Sequence, residues 1–168
     1  MKYVFSFLMI ALLLAGCAAQ PAESEPTVFT MTQTDPYEAP TETIPEVLLS
    51  YQLYLPNENA DGFVIESAET TQISAAVILA ELQARGVLSD TVTINAFSAV
   101  EDRLTIDFNQ AFADQICSMG TSGELMILGS VVNTFLNAFQ AESVCFTIDG
   151  QILESGHVIY DFPITFIE

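Results

Sequence analysis

The longest amphipathic pattern in the chain runs from Thr121 to Gln140. Leu125, Leu128, Val132, Phe135, Leu136 and Phe139 recur at three- and four-residue spacing, which predicts a long helix with one buried face. Thr121 and Glu124 have the spacing of a capping box, hydroxyl and carboxylate each accepting the other residue's backbone N–H. After Gln140 the period falls to two. Val144, Phe146 and Ile148 point one way, and Ser143, Cys145, Thr147 and Asp149 the other. Asp149-Gly150 ends this strand in a turn.

Upstream, Val47, Leu49, Tyr51, Leu53 and Leu55 alternate with Leu48, Ser50, Gln52 and Tyr54 and predict a first strand. Pro56 and the run Asn57-Glu-Asn-Ala-Asp-Gly62 end it, and Phe63-Val64-Ile65 is placed to pair back briefly. Thr70 or Thr71 is positioned to cap a helix through Arg85, with Ile73, Ala76, Val77, Ala80 and Leu82 on its apolar side. Gly86 suits the left-handed residue that follows. Val92, Ile94 and Ala96 predict a second strand and Leu104, Ile106 and Phe108 a third, joined by a hairpin link, Ser98 to Arg103. Asn109 to Ile116 reads as a short helical turn. A loop through Gly156 leads to a last extended piece, Val158 to Phe166, where Pro163 argues for an edge.

The predicted order is β-α-β-β-α-β plus an edge, with both crossovers joining strands that can lie parallel. Each strand has one apolar and one mainly polar face: Ser50 and Gln52, Thr93 and Asn95, Thr105 and Asp107, Thr147 and Asp149. That alternation predicts an α+β two-layer sandwich, two helices on one face of a small mixed sheet and the other face open.

The first 46 residues have a different character. Lys2 precedes an apolar run, Val4 to Leu14, broken only by Ser6 and too short to span a bilayer comfortably. It ends in Leu14-Ala15-Gly16-Cys17, which looks like the lipobox of bacterial lipoprotein signals, where cleavage precedes a cysteine that carries diacylglycerol. The expectation is a signal peptide over 1–16 and a lipid attached to Cys17. Residues 17–46 hold Pro21, Pro26, Pro36, Pro40 and Pro45 among Thr, Glu and Ala, the composition of a disordered tether. Its random-coil span is about 30 Å, enough to hold a domain over 47–168 clear of a lipid surface.

The formal net charge is −19, from 22 acidic residues against three basic ones. Lys2 leaves with the signal, so Arg85 and Arg103 are the only basic residues of the mature chain. Such a surface repels nucleic acid and anionic headgroups, and nucleic acid is excluded as a partner. It suits solubility and spacing from an anionic envelope.

Candidate chemistry is sparse. Asn57-x-Asn59-x-Asp61-Gly62 echoes the start of a calcium loop, but Ala68 stands where the bidentate Glu belongs, and a plain turn is the better reading. His157 is the only histidine, so it makes no two-His metal site and reads as a loop residue. Asp107 and Asp149 fall on neighbouring strands, where paired carboxylates can share a proton or a metal, and strand-end solvation is preferred. Cys117 and Cys145 form an even pair once Cys17 is lipidated, and two separate thiols are favoured over a disulfide. No Gly-rich phosphate loop or metal-ligand motif is present, so no catalytic residue, cofactor or metal site is expected and the domain reads as a non-enzyme.

Tyr54-Leu55-Pro56, Leu104-Thr-Ile-Asp107-Phe108, Val131-Val132-Asn133-Thr134-Phe135, Val144-Cys-Phe-Thr-Ile148-Asp149-Gly150, and Gly156-His157 before Pro163 occur in an order that resembles the GerMN domain of spore germination and sporulation lipoproteins. The resemblance covers about residues 50 to 166. A characterised member carries two tandem copies, whereas this chain has room for one. The family is similar to the ring-building motifs of secretion-type assemblies. The resemblance therefore implies a lipid-anchored module on the outer side of the cell membrane. It would bind other envelope proteins, by ring-type assembly or self-association, in sporulation or germination. A cation- or ligand-binding envelope lipoprotein without catalysis is the alternative. The face expected to meet a partner is the open one, with Gln52, Tyr54, Thr105, Asp107, Cys145 and Thr147, Tyr54 serving as aromatic anchor.

Overall fold

The computed structural model describes residues 46–168. The expected signal peptide, Cys17 and nearly all of the expected tether lie outside them. In chain order the elements are β1 (Leu49–Pro56), β2 (Phe63–Thr70), α1 (Ala75–Ala84), β3 (Ile94–Val100), β4 (Arg103–Phe108), α2 (Gln110–Cys117), α3 (Thr121–Phe139), β5 (Ser143–Ile148), β6 (Gln151–Glu154) and β7 (Ile159–Tyr160).

The class is α+β, as expected, and the described residues form three helices and two sheets. The five-stranded sheet has the order β3-β4-β5-β6-β7. β3 and β4 form the anticipated hairpin, and β5 runs parallel to β4 after the crossover through α2 and α3. The first crossover differs from expectation. β1 pairs over its whole length with β2, Leu49 opposite Thr70 to Pro56 opposite Phe63, as a separate hairpin.

The far edge of β1 does not join a strand because α3 lies along it. The Gln52 N–H donates to Asn137 Oδ1 at 2.7 Å and the Tyr54 N–H to Thr134 Oγ1 at 3.0 Å. Helix side chains thus take the place of a neighbouring strand, since buried main-chain donors require partners.

That arrangement explains why α3 is buried on every side from Met126 to Leu136 rather than along one stripe. One side meets the five-stranded sheet, where the Phe97 ring lies 6.2 Å from Phe135 and 4.7 Å from Phe139. A second side meets β1. A third meets the C-terminal segment, whose Ile167 is held by Asn133. The exception is Leu125, expected inside but 46% exposed in the first turn.

Two of the expected helix starts are displaced. α1 is capped by Ser74, whose hydroxyl accepts the Val77 N–H at 3.3 Å, while Thr70 still belongs to β2. The residue preceding α3 is Gly120, and the Thr121–Glu124 capping box does not form. Glu124 turns inward instead, 3% exposed, and accepts the Tyr160 hydroxyl at 2.6 Å. A buried carboxylate gains more from that hydroxyl than from a solvated backbone N–H.

The Asp149-Gly150 turn is present, with both residues at positive φ, and it leads into β6, which the sequence pattern did not predict. β7 is the last strand of the sheet, and Ile164 beyond Pro163 bridges Val144 at the start of β5.

Candidate interaction face

In the five-stranded sheet, Leu104, Ile106, Phe108, Val144, Phe146, Ile148 and Leu153 point toward the helices and are buried. Strand register places the other set together. Ser98 lies opposite Thr105, and Thr105 opposite Cys145. Asp107 lies opposite Thr147, and Thr147 opposite Ile152. Residues paired across strands project to the same face, so these side chains form one surface away from the helices.

The structure therefore brings together Thr105, Asp107, Cys145 and Thr147 and separates Gln52 and Tyr54 from them. Gln52 is exposed on β1 of the other sheet. Tyr54 is only 7% exposed, its ring centroid 6.5 Å from Phe63 and 5.3 Å from Phe166. It is a core aromatic, not a surface anchor. The sequence pattern misassigned it because Tyr54 alternates out of phase with Leu53, yet the Phe63 and Phe166 rings pack against it.

The apolar component of the open face comes from residues the pattern did not single out. Val100 is 65% exposed, Ile152 55% and Ile159 54%. They ring a polar centre. A cavity of about 510 Å³ opens at one end of this face, lined by Ser98, Arg103, Thr105 and the acids Glu101, Asp102 and Glu142.

At the other end, Asp107 accepts the Thr147 hydroxyl at 2.5 Å and the Gly150 N–H at 2.8 Å. These bonds, the Thr147 one foremost and with help from the Asn95 amide, hold its carboxyl below the usual carboxylate range against a small opposing effect of burial. Asp149 accepts from Asn95 Nδ2 at 2.8 Å. Together these bonds tie the ends of β4 and β5 to the β5–β6 turn.

The remaining candidates have structural surroundings. Asn57 and Asp61 bond each other across the β1–β2 turn, Nδ2 to Oδ1 at 2.8 Å and Asp61 N–H to Asn57 Oδ1 at 3.2 Å. His157 is exposed in the β6–β7 turn, its backbone N–H donating to Ser155 Oγ at 3.2 Å. Cys117 and Cys145 are both free thiols. Among the described residues no cluster of three metal-ligating side chains occurs, and no helix is long and apolar enough to cross a membrane.

The family model described as Germane, sporulation and spore germination, matches residues 52–154. No curated protein matches the chain. Among solved structures, the tandem GerMN domains of the sporulation protein GerM from Bacillus subtilis align at 18% identity with a TM-score of 0.51, over 71% of this chain and 45% of that one. The chain thus spans less than half of that tandem. The first GerMN domain of the same protein aligns at 18% identity with a TM-score of 0.46, over 71% of this chain and 94% of that one.

Proposed function

The chain belongs to the Germane family of sporulation and spore germination proteins, which is not a known family of enzymes, and from that premise we propose that it is a lipid-anchored interaction module on the outer side of the cell membrane. In this reading it is an assembly factor in the envelope of a spore-forming bacterium, and it performs no catalytic step. Lipid on Cys17 attaches it, the proline-rich segment to residue 46 spaces it from the bilayer, and the open face of the five-stranded sheet binds another envelope protein.

The observation that carries the reading is that open face. Its centre of Thr105, Asp107 and Thr147 is polar and its margins hold Val100, Ile152 and Ile159, each more than half exposed. Its exposed apolar side chains offer a partner surface to bury, and the polar groups between them offer hydrogen bonds. The strongly acidic chain favours a partner with a basic surface.

Two experiments test it. Cys17→Ser should release the protein from membranes or leave the precursor uncut; a variant that is processed and fractionates as the parent does refutes the anchor. Arg placed at Thr105 and Ile152, both exposed, should leave melting within about 0.5 kcal/mol of the parent. The same variant should lose in-cell crosslinks and sporulation. Thr147 is a poorer choice because its hydroxyl is bonded to Asp107. Full crosslinking and sporulation in the double variant refute the open-face reading.

A further inference from the structure

Three strands present a free edge among the described residues: β2 in the hairpin, and β3 and β7 at the two ends of the larger sheet. Free edges invite further strands, and proteins usually blunt them with charge, proline or short length. β7 is two residues long and is followed by Asp161 and Pro163. β2 carries Glu66 and Glu69. β3, Ile94-Asn-Ala-Phe-Ser-Ala-Val100, has seven residues, no charge and no proline. Its one irregularity is a register shift at Asn95, which leaves Ala96–Val100 regularly paired with β4.

The orientation of its free backbone groups follows from the hairpin. Val100 and Arg103 close a two-residue turn through Glu101 and Asp102. The closing pair of such a turn is hydrogen-bonded, and the pattern alternates along an antiparallel ladder. Ala96, Ser98 and Val100 therefore direct their N–H and C=O groups at β4, while Phe97 and Ala99 direct theirs outward. Ala99 is exposed although it lies on the helix side of the sheet, so nothing among the described residues covers the edge there.

We infer that β3 pairs antiparallel with β3 of a second copy of this chain, about a two-fold axis at Ser98. Three features favour a second copy. First, four ladder bonds form, Phe97 with the partner's Ala99 in both directions and the same pair across the axis. Second, the side chains are complementary in size: Phe97 falls opposite the partner's Ala99 on the helix side, and Val100 opposite the partner's Ala96 on the open face. Third, a chain of net charge −19 repels its own copy everywhere except across a neutral surface, and β3 is neutral. In this register Glu101 and Asp102 lie opposite the partner's Asn95 and Ile94, not opposite each other. The contact is smaller than the roughly 800 Å² per partner of a standard interface, so it is weak in dilute solution. It is independent of the open-face reading, because edge groups point in the plane of the sheet.

The test is oxidative crosslinking in cells producing the full chain with Cys117→Ser and Cys145→Ser, which also serves as the parent. Ser98→Cys places two thiols at a non-hydrogen-bonded pair, with Cα atoms about 4.5 Å apart, inside disulfide reach. Thr105→Cys, one strand inward on the same face, places them about 14 Å apart, beyond reach. Ala99→Pro removes an outward N–H without touching the β4 ladder. The expected result is a reducible dimer with Ser98→Cys well above the parent, none with Thr105→Cys, and loss of the dimer when Ala99→Pro is added to a Ser98→Cys chain that still melts as the parent does. A monomer with Ser98→Cys overturns the inference, as it would if residues 1–45 of the same chain took the edge. Equal crosslinking by Thr105→Cys overturns it too, by pointing to contact through the face.

Discussion

Asn133→Ala is the sharpest test of what holds the three sides of α3 together. Asn133 is fully buried; its amide donates to the Ile167 carbonyl at 2.7 Å and its carbonyl accepts the Ile167 N–H at 2.9 Å. The side chain thus acts as a short piece of strand, completing the ladder of a C-terminal segment that has only the Val144–Ile164 bridge upstream. Alanine removes two neutral hydrogen bonds, about 0.5–1.5 kcal/mol each, and leaves two main-chain groups facing an apolar helix. Ile167 is only half-buried, so water recovers part of that second cost. The expected loss is about 2–3 kcal/mol, near 4 °C of melting temperature per kcal/mol in a domain of this size. Urea unfolding followed by circular dichroism measures it; the chain has no tryptophan to report by fluorescence. A double-mutant cycle with a chain ending at Pro163 isolates the clamp, because without Ile167 the Asn133→Ala cost should shrink by at least half. A loss under about 0.5 kcal/mol, or an equal loss in the full and shortened chains, would refute the assignment.

Three further outcomes are expected. Gly129→Ala drives a Cβ into the Phe63 ring, so the substitution should destabilise by about 1 kcal/mol despite alanine's higher helix propensity, yet stabilise once Phe63 is also alanine; the sign change in thermal melts is the check. Burial first, then the Glu124 hydrogen bond and charge, raises the pKa of Tyr160, and burial also raises that of Tyr51, so this stability is intact below pH 10 and is lost as pH climbs above it. Tyr160→Phe should weaken that alkaline decline and cost about 1–3 kcal/mol at pH 7 by leaving Glu124 without its donor, both readable from urea midpoints against pH. Asp107 has the opposite sign: its depressed pKa gives stability that is present above about pH 4 and lost as pH falls through the folded value, so Asp107→Asn should flatten the acid limb of the same profile.

Local pattern alone determined a good deal of this protein. The period of 3.6 over 121–140 and the period of two over 104–108 and 144–148 each came from side chains sorting between core and solvent, whereas at the start of the first predicted strand Val47 and Leu49 are 73% and 41% exposed. The turns at Gly86 and Asp149-Gly150 came from the need for positive φ. The polar set Thr105, Asp107, Cys145 and Thr147 was legible for the same reason, since period-two alternation places those residues on one face of paired strands.

Partner choice between distant segments was not legible. The pattern of β1 is equally that of a strand in the large sheet and of a strand in a separate hairpin, and only α3 lying along its edge decided between them. Hence Tyr54 and Gln52 left the predicted face, and Tyr54 entered the core. The polar residues of α3 carried the same ambiguity: Asn133, Thr134 and Asn137 lie off the apolar stripe that predicted the helix, and in the fold they satisfy the main chain of β1 and of Ile167. Glu124 reads as a cap and serves as a buried acceptor. Periodicity sorts most side chains between core and solvent, with Tyr54 and Leu125 as exceptions. It does not report what covers them, because hydrogen-bond partners 34 to 85 residues away are set by the packing of whole elements.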